Sequence, residues 1–136
     1  MQPIFDKVLA PLLDALPDAV ILVDEDGGIL FANVAIKNLL GYSAEDLINR
    51  PLSVLIPPRI RESHVKMVAD FWQNPTPRPM GSRPFLYALS KAGEEIPLTI
   101  SLGPVTLSGR RCCVAVLRDA SPIRDQIADV LSGIQV

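Results

Sequence analysis

A single histidine, two adjacent cysteines and a few carboxylates beside predicted turns are the side chains here that could bind or react. His64 shares one face of a predicted helix with Met67, Val68 and Phe71, over a stretch running from Arg59 to about Trp72. A neutral imidazole on that stripe could ligate iron, which makes His64 the candidate metal ligand. His64, Met67, Val68 and Phe71 together are the candidate cofactor-binding set. The same imidazole fits a plainer role, a helix residue hydrogen-bonded at a pocket edge or at the surface. Arg59, Glu62, Lys66 and Asp70 fall mainly off the stripe and read as a solvated face.

Cys112 and Cys113 are neighbours on a predicted strand, so their side chains point to opposite faces and are poorly placed to bridge each other. They read as small packing residues in a reducing compartment. Asp24, Asp26, Glu94 and Glu95 sit at or beside hairpin turns, where carboxylates are ordinarily solvated, and take no catalytic role. Trp72 and Tyr87 could stack on a ligand ring, but a lone aromatic at a helix end or on a strand also serves as core or interface. The sequence holds no phosphate loop, no zinc-type Cys/His spacing and no Ser, His and Asp that can be placed together. The expectation is a protein that is not an enzyme, with no catalytic residues.

These residues depend on the elements that position them. Ile4, Phe5, Val8, Leu9, Leu12, Leu13 and Leu16 recur at helical spacing, predicting an amphipathic helix ended by Pro17 with a kink at Pro11. Ala19–Asp24 and Gly28–Asn33 are apolar, β-branched runs around Glu25-Asp26-Gly27-Gly28, which predicts a hairpin. Short helices follow. Val34, Ile36, Leu39 and Leu40 precede a Gly41 C-cap, and Ser43 stands three residues before Asp46 as in a capping box. After the proline-punctuated connection Pro51–Pro58 comes the long helix carrying His64, broken at Asn74-Pro75-Thr76-Pro77. Strands are then expected over Arg83–Leu89, Glu94–Leu102 and Arg110–Arg118, with turns at Lys91-Ala92-Gly93 and Thr106-Leu107-Ser108-Gly109. The fold class is α+β, a five-stranded antiparallel sheet with short helices on one face and helices at both termini.

At 136 residues and 49% hydrophobic, the chain is long enough for one core and too short for a second domain. A net charge of -2, from 13 basic and 15 acidic residues without a basic stripe, argues against nucleic acid as a partner. The longest apolar runs, such as Ala19–Val23 and Cys112–Leu117, are far below the ~20 residues of a membrane helix, and no signal-peptide pattern begins the chain. A cytoplasmic protein with no membrane partner is expected.

Five segments in order carry a resemblance that covers about Leu13 to Ser121. They are Leu16-Pro17-Asp18-Ala19-Val20, Ile29-Leu30-Phe31-Ala32-Asn33, Leu40-Gly41-Tyr42-Ser43-Ala44-Glu45-Asp46-Leu47, Lys91-Ala92-Gly93-Glu94-Glu95-Ile96-Pro97 and Leu117-Arg118-Asp119. Together they resemble a PAS domain. The resemblance implies a sensory input domain that binds a small ligand, cofactor or partner and relays the change to an output domain of a larger bacterial signalling protein, for instance a two-component kinase. It also implies that Arg118 and Asp119 form the signal relay where the sheet meets the exit helix. The expected division is an N-terminal helix over 1–16, the sensory domain over 17–120 and the start of a signalling helix over 121–136. Ile123, Ile127, Val130 and Ile134 have coiled-coil spacing, so the terminal helices are expected to pair two copies. A ligand-free dimerisation module is the alternative from a different class.

The cofactor is left open, with haem as one candidate. Arg61-Glu62-Ser63-His64 resembles the segment that supplies the iron-ligating histidine in haem-binding PAS oxygen sensors. Those sensors also place an arginine nine residues before the glycine of a later turn. Counted from Gly93, that position is Pro84, with Arg83 adjacent, and a shift of one residue turns a strand side chain to the other face. Flavin photochemistry is disfavoured, because the photoreactive members carry their cysteine in a Gly-Arg-Asn-Cys-like segment on the helical side.

Overall fold

The computed structural model describes residues 5–81 and 85–134. Its strands are β1 (Ala19–Asp24), β2 (Ile29–Ala32), β3 (Leu86–Leu89), β4 (Glu95–Leu107) and β5 (Arg110–Asp119). They form one antiparallel sheet in the order β2-β1-β5-β4-β3. β1 and β5 lie inside the sheet, and apolar residues cover both of their faces. Their inward residues Ile21, Val23, Ala115 and Leu117 alternate with outward Leu22 and Cys112, the period-2 pattern of a sheet covered on both sides.

The helices are α1 (Ala10–Asp14), α2 (Ile36–Leu40), α3 (Ala44–Leu47), α4 (Arg61–Gln73) and α5 (Ser121–Ile134). Gly41 ends α2 at a φ of 86°, and Ser43 and Asp46 close a reciprocal capping box on α3. Ile36, Leu40 and Leu47 are thereby set into the inner core with Ile21, Ile29 and Leu98. On the outer face, Leu9, Ala10 and Leu13 cover Leu22, Phe31 and Cys112. The first helix therefore spends Leu9, Ala10 and Leu13 on its own sheet and leaves Val8, Leu12 and Leu16 of its stripe exposed. It is also not continuous: a π-helical turn over Phe5–Leu9 gives way to α1, where Pro11 sits in the first turn.

The last hairpin differs from the sequence expectation. β4 does not stop at Leu102 but continues through Gly103 and Pro104, and the turn is only Ser108-Gly109, with Leu107 paired to Arg110. Both turn residues have positive φ, 49° and 78°, the geometry that suits the twist of a two-residue hairpin. Pro104 is tolerated because β3 pairs only with Glu95–Leu98 and Arg78 bridges only Leu102, so β4 is an edge at Pro104 and needs no N–H on that side. The long helix begins at Arg61, after a 3-10 turn over Pro58–Ile60, rather than at Arg59. Described β3 begins at Leu86, and the expected strand residues Arg83 and Pro84 lie outside the described residues, as do Ile4 and the side chains of Phe5 and Ile134.

Candidate ligand cavity and relay

Between the inner face of the sheet and α4 lies a cavity of about 390 Å³. Its floor is the inward row of the strands, Ile21 and Val23 from β1, Leu98, Ile100 and Leu102 from β4, and Cys113, Ala115 and Leu117 from β5. Its roof is the apolar stripe of α4. His64, Met67, Val68 and Phe71 all line it, so the four residues that share a helical face in the sequence share a wall. Phe71 is buried, while the other three are half-buried because the space beneath them is a void rather than packed side chains. The volume falls in the range of ordinary small-molecule pockets, roughly 300–1,000 Å³.

Burial lowers the pKa of His64 from its usual 6.5, so the imidazole is neutral at neutral pH. A neutral imidazole on the cavity wall fits iron ligation as far as the histidine itself goes. Arg83 and Pro84, the strand positions compared with the oxygen sensors' arginine, lie outside the described residues.

Further cavity residues lie outside the set that the helical stripe picks out. Cys113 lines the floor, and its apolar surroundings push the thiol up to about 11. Strand alternation with Ala115 and Leu117 is the signal that assigns it there. Trp72 and Tyr87, left unassigned between ligand stacking and packing, both lie on the wall. Arg59 is not merely a solvated helix residue. It lines the cavity, places its guanidinium 5.5 Å from the Tyr87 ring centre, and grips Glu95 on β4, with Nε at 3.1 Å from both carboxylate oxygens. The pairing raises the pKa of Arg59 and lowers that of Glu95. At the other end of α4, Arg111 of β5 stacks 4.9 Å from the Trp72 ring centre and donates to the Trp72 carbonyl at 3.2 Å. The roof is thus tied to the sheet at both ends by exposed arginine contacts.

Arg118 and Asp119 follow the cavity-lining part of β5, but they do not bond to one another. Arg118 makes a two-pronged bridge to Asp18, with Nη2 at 2.7 Å and Nε at 3.2 Å from its carboxylate oxygens. Asp119 instead accepts from the Ser121 N–H at 2.8 Å and starts α5. Ala120 between them is fully buried, and its N–H donates to Pro97 O at 2.8 Å, which pins the root of α5 to β4. Beyond that root α5 leaves the body, with Ile123, Ile127 and Val130 exposed.

Asn33 completes the arrangement from the other end of the chain. It is fully buried; its Oδ1 accepts from Val20 N–H at 2.8 Å, and its Nδ2 donates to the carbonyls of Leu13 at 2.8 Å and Asp18 at 3.0 Å. One amide therefore holds the end of α1, the approach to β1 and the end of β2 together.

The PAS fold family matches residues 9–120. The chain is similar to the oxygen sensor protein DosP of Escherichia coli (strain K12), 28% identical over 85% of this chain and 14% of that protein. It is also similar to the sensory histidine kinase/phosphatase NtrB of Azospirillum brasilense, 28% identical over 91% of this chain and 35% of that protein. It therefore spans about a third or less of these curated relatives. Among solved structures, the PAS domain of a Colwellia psychrerythraea protein superposes with a TM-score of 0.70, at 24% identity over 85% of this chain and 96% of that one. With the fold, the cavity and the family match in agreement, the chain belongs to the PAS fold family and is a signal-sensing input domain homologous to those of sensor proteins.

Proposed function

We propose that this domain senses by filling the cavity under α4 with a small apolar ligand and relays occupancy through β5 to α5. One observation carries the reading. The strand whose Cys113, Ala115 and Leu117 form the cavity floor continues without interruption into Arg118, Asp119 and the exit helix. A change in floor curvature therefore reaches the root of α5 through covalent backbone. The chain is read as a binding domain rather than an enzyme, because the charged groups on the wall are already engaged, Asp24 by Arg110 at 2.6 Å and Arg59 by Glu95. The output belongs to a longer signalling protein of which this chain is a part. A cytoplasmic setting suits Cys112 and Cys113, which are both buried and free, and no described helix is long and apolar enough to cross a membrane. Native mass spectrometry of protein purified from cells tests the reading. A bound small mass is expected, and it should vanish in Ala115→Phe, whose ring occupies the floor; an unliganded wild type with unchanged melting on exposure to apolar small molecules would refute it.

A second reading has iron held by His64 and is supported by the neutral imidazole on the wall and by the similarity to an oxygen sensor protein. When bound, haem would supply the gas-binding iron, with His64 as its protein ligand. Purified protein would then show a Soret band that His64→Ala abolishes, whereas a featureless visible spectrum after growth with added haem precursor excludes it. We also propose that two copies pair through the exposed stripe of α5. Light scattering should give twice the chain mass, falling to the monomer in Ile127→Asp.

A further inference from the structure

The proposal that the cavity is a ligand site leaves its ligand class open, and the polar groups on its wall narrow it. Among the described lining residues Arg59 is the one cation, since burial keeps His64 neutral. The Arg59 guanidinium presents its fork to a carboxylate, and the carboxylate it now holds is the chain's own, Glu95 at the start of β4. Both partners are exposed, a setting in which an ion pair contributes little and is readily exchanged. Behind the pair the wall is apolar, with Ile60, Met67 and Tyr87 among its residues. A second anionic group is disfavoured, because the other ionic lining residue, Asp24, is itself a carboxylate already held by Arg110.

We infer that the cavity takes an apolar monocarboxylate whose head group replaces Glu95 on Arg59 while its hydrophobic body fills the space between α4 and the sheet. Glu95 acts as a built-in stand-in for the ligand. In the empty state it satisfies the arginine and ties the roof to β4; in the filled state that tie is released. A carboxylate suits the site better than a phosphate because one planar guanidinium offers a two-point match and the described lining residues supply no further cation. Ligand arrival would thus alter the attachment of α4 at one end, leaving Arg111 and Trp72 to hold the other.

Trp72, the single tryptophan of the chain, lines the cavity and reports binding by its fluorescence. The whole chain is titrated with decanoate and 4-phenylbutyrate and with their neutral counterparts, decan-1-ol and 4-phenylbutan-1-ol. At least one acid should bind about tenfold more tightly than its alcohol. Arg59→Gln should erase that preference without weakening the alcohol, Arg59→Lys should restore part of it, and Glu95→Gln should tighten acids alone. Equal affinities of acid and alcohol, or an acid preference that survives Arg59→Gln, overturn the inference while leaving the cavity reading intact. If none of the four binds, the cavity reading falls and takes the inference with it.

Discussion

The buried Asn33 and the half-buried His64 answer to opposite physics. Asn33 is held by partners that would be stranded without it. Leaving a buried donor or acceptor unsatisfied costs about 1–3 kcal/mol, so Asn33→Ala, which strands the Val20 N–H and the carbonyls of Leu13 and Asp18, should lower the unfolding free energy by more than ~2 kcal/mol in urea titrations. Asn33→Asp keeps the acceptor but turns a second oxygen toward those two carbonyls in a buried site, so it should destabilise at least as much; a loss below ~0.5 kcal/mol for the alanine variant would mean that the amide does not hold α1. His64 instead faces a void that disfavours its charged form. Its folded pKa lies below the ordinary 6.5, so on acidification the unfolded chain takes up the proton first. Its contribution is complete above 6.5 and is lost as the pH falls through the lower, folded pKa. Wild type should therefore lose more stability than His64→Gln between pH 7 and pH 5, and parallel curves would contradict the assignment. The position of His64 was readable from helical spacing, because periodicity reports a face. The roles of Asn33 and Arg59 were not, since their partners Leu13 and Glu95 lie 20 and 36 residues away in sequence, where no local pattern can point.

Local backbone chemistry made most elements readable, and where it failed a neighbour had overridden it. The stop of α2 at Gly41 follows from a φ of 86°, which only glycine adopts without strain. An added Cβ would also meet the Lys91 Cβ at 3.4 Å, so Gly41→Ala carries mainly the left-handed penalty, about 1–2 kcal/mol. A melting temperature unchanged in that variant would show that the turn relaxes. The capping box on α3 and the β1–β2 hairpin were legible on similar grounds, from Ser43, Asp46 and Gly27. The full length of β4 is hidden in the sequence because Gly103 and Pro104 signal a break in any local window. They sit where β4 has a partner on one side only, and ten paired positions with β5 carry the strand through. Pairing across a hairpin is tertiary information and outweighs the propensity of two residues. The cavity was legible only as a consequence of family and layer order, since a void is set by the side chains that do not meet across it.

At the scale of the whole molecule, both ends of the sensory unit are fastened at one place. Asp18 precedes β1 and Arg118 ends the cavity strand, and Asn33 holds the carbonyl of the same Asp18. The Arg118 guanidinium lowers the Asp18 pKa below its usual 3.8, so the bridge is complete above that value and is lost as the pH falls through the lower, folded pKa. This contact is exposed and adds little to global stability, which suits a joint better than a brace. Signal, if it travels along β5, must pass the position where this bridge fixes the strand against β1. Asp18→Asn keeps the backbone bonds of the sheet and removes only the charge that orients Arg118. Hydrogen exchange should then show faster exchange for the amides of Ser121 to Arg124 while those of Ala115 and Leu117 stay protected. A ligand that alters exchange in α5 of the wild type should lose that effect in Asp18→Asn although its affinity for the cavity is kept. If the α5 response persists in full, the bridge is only a surface ion pair, and the buried link from Ala120 N–H to Pro97 carries the motion by itself.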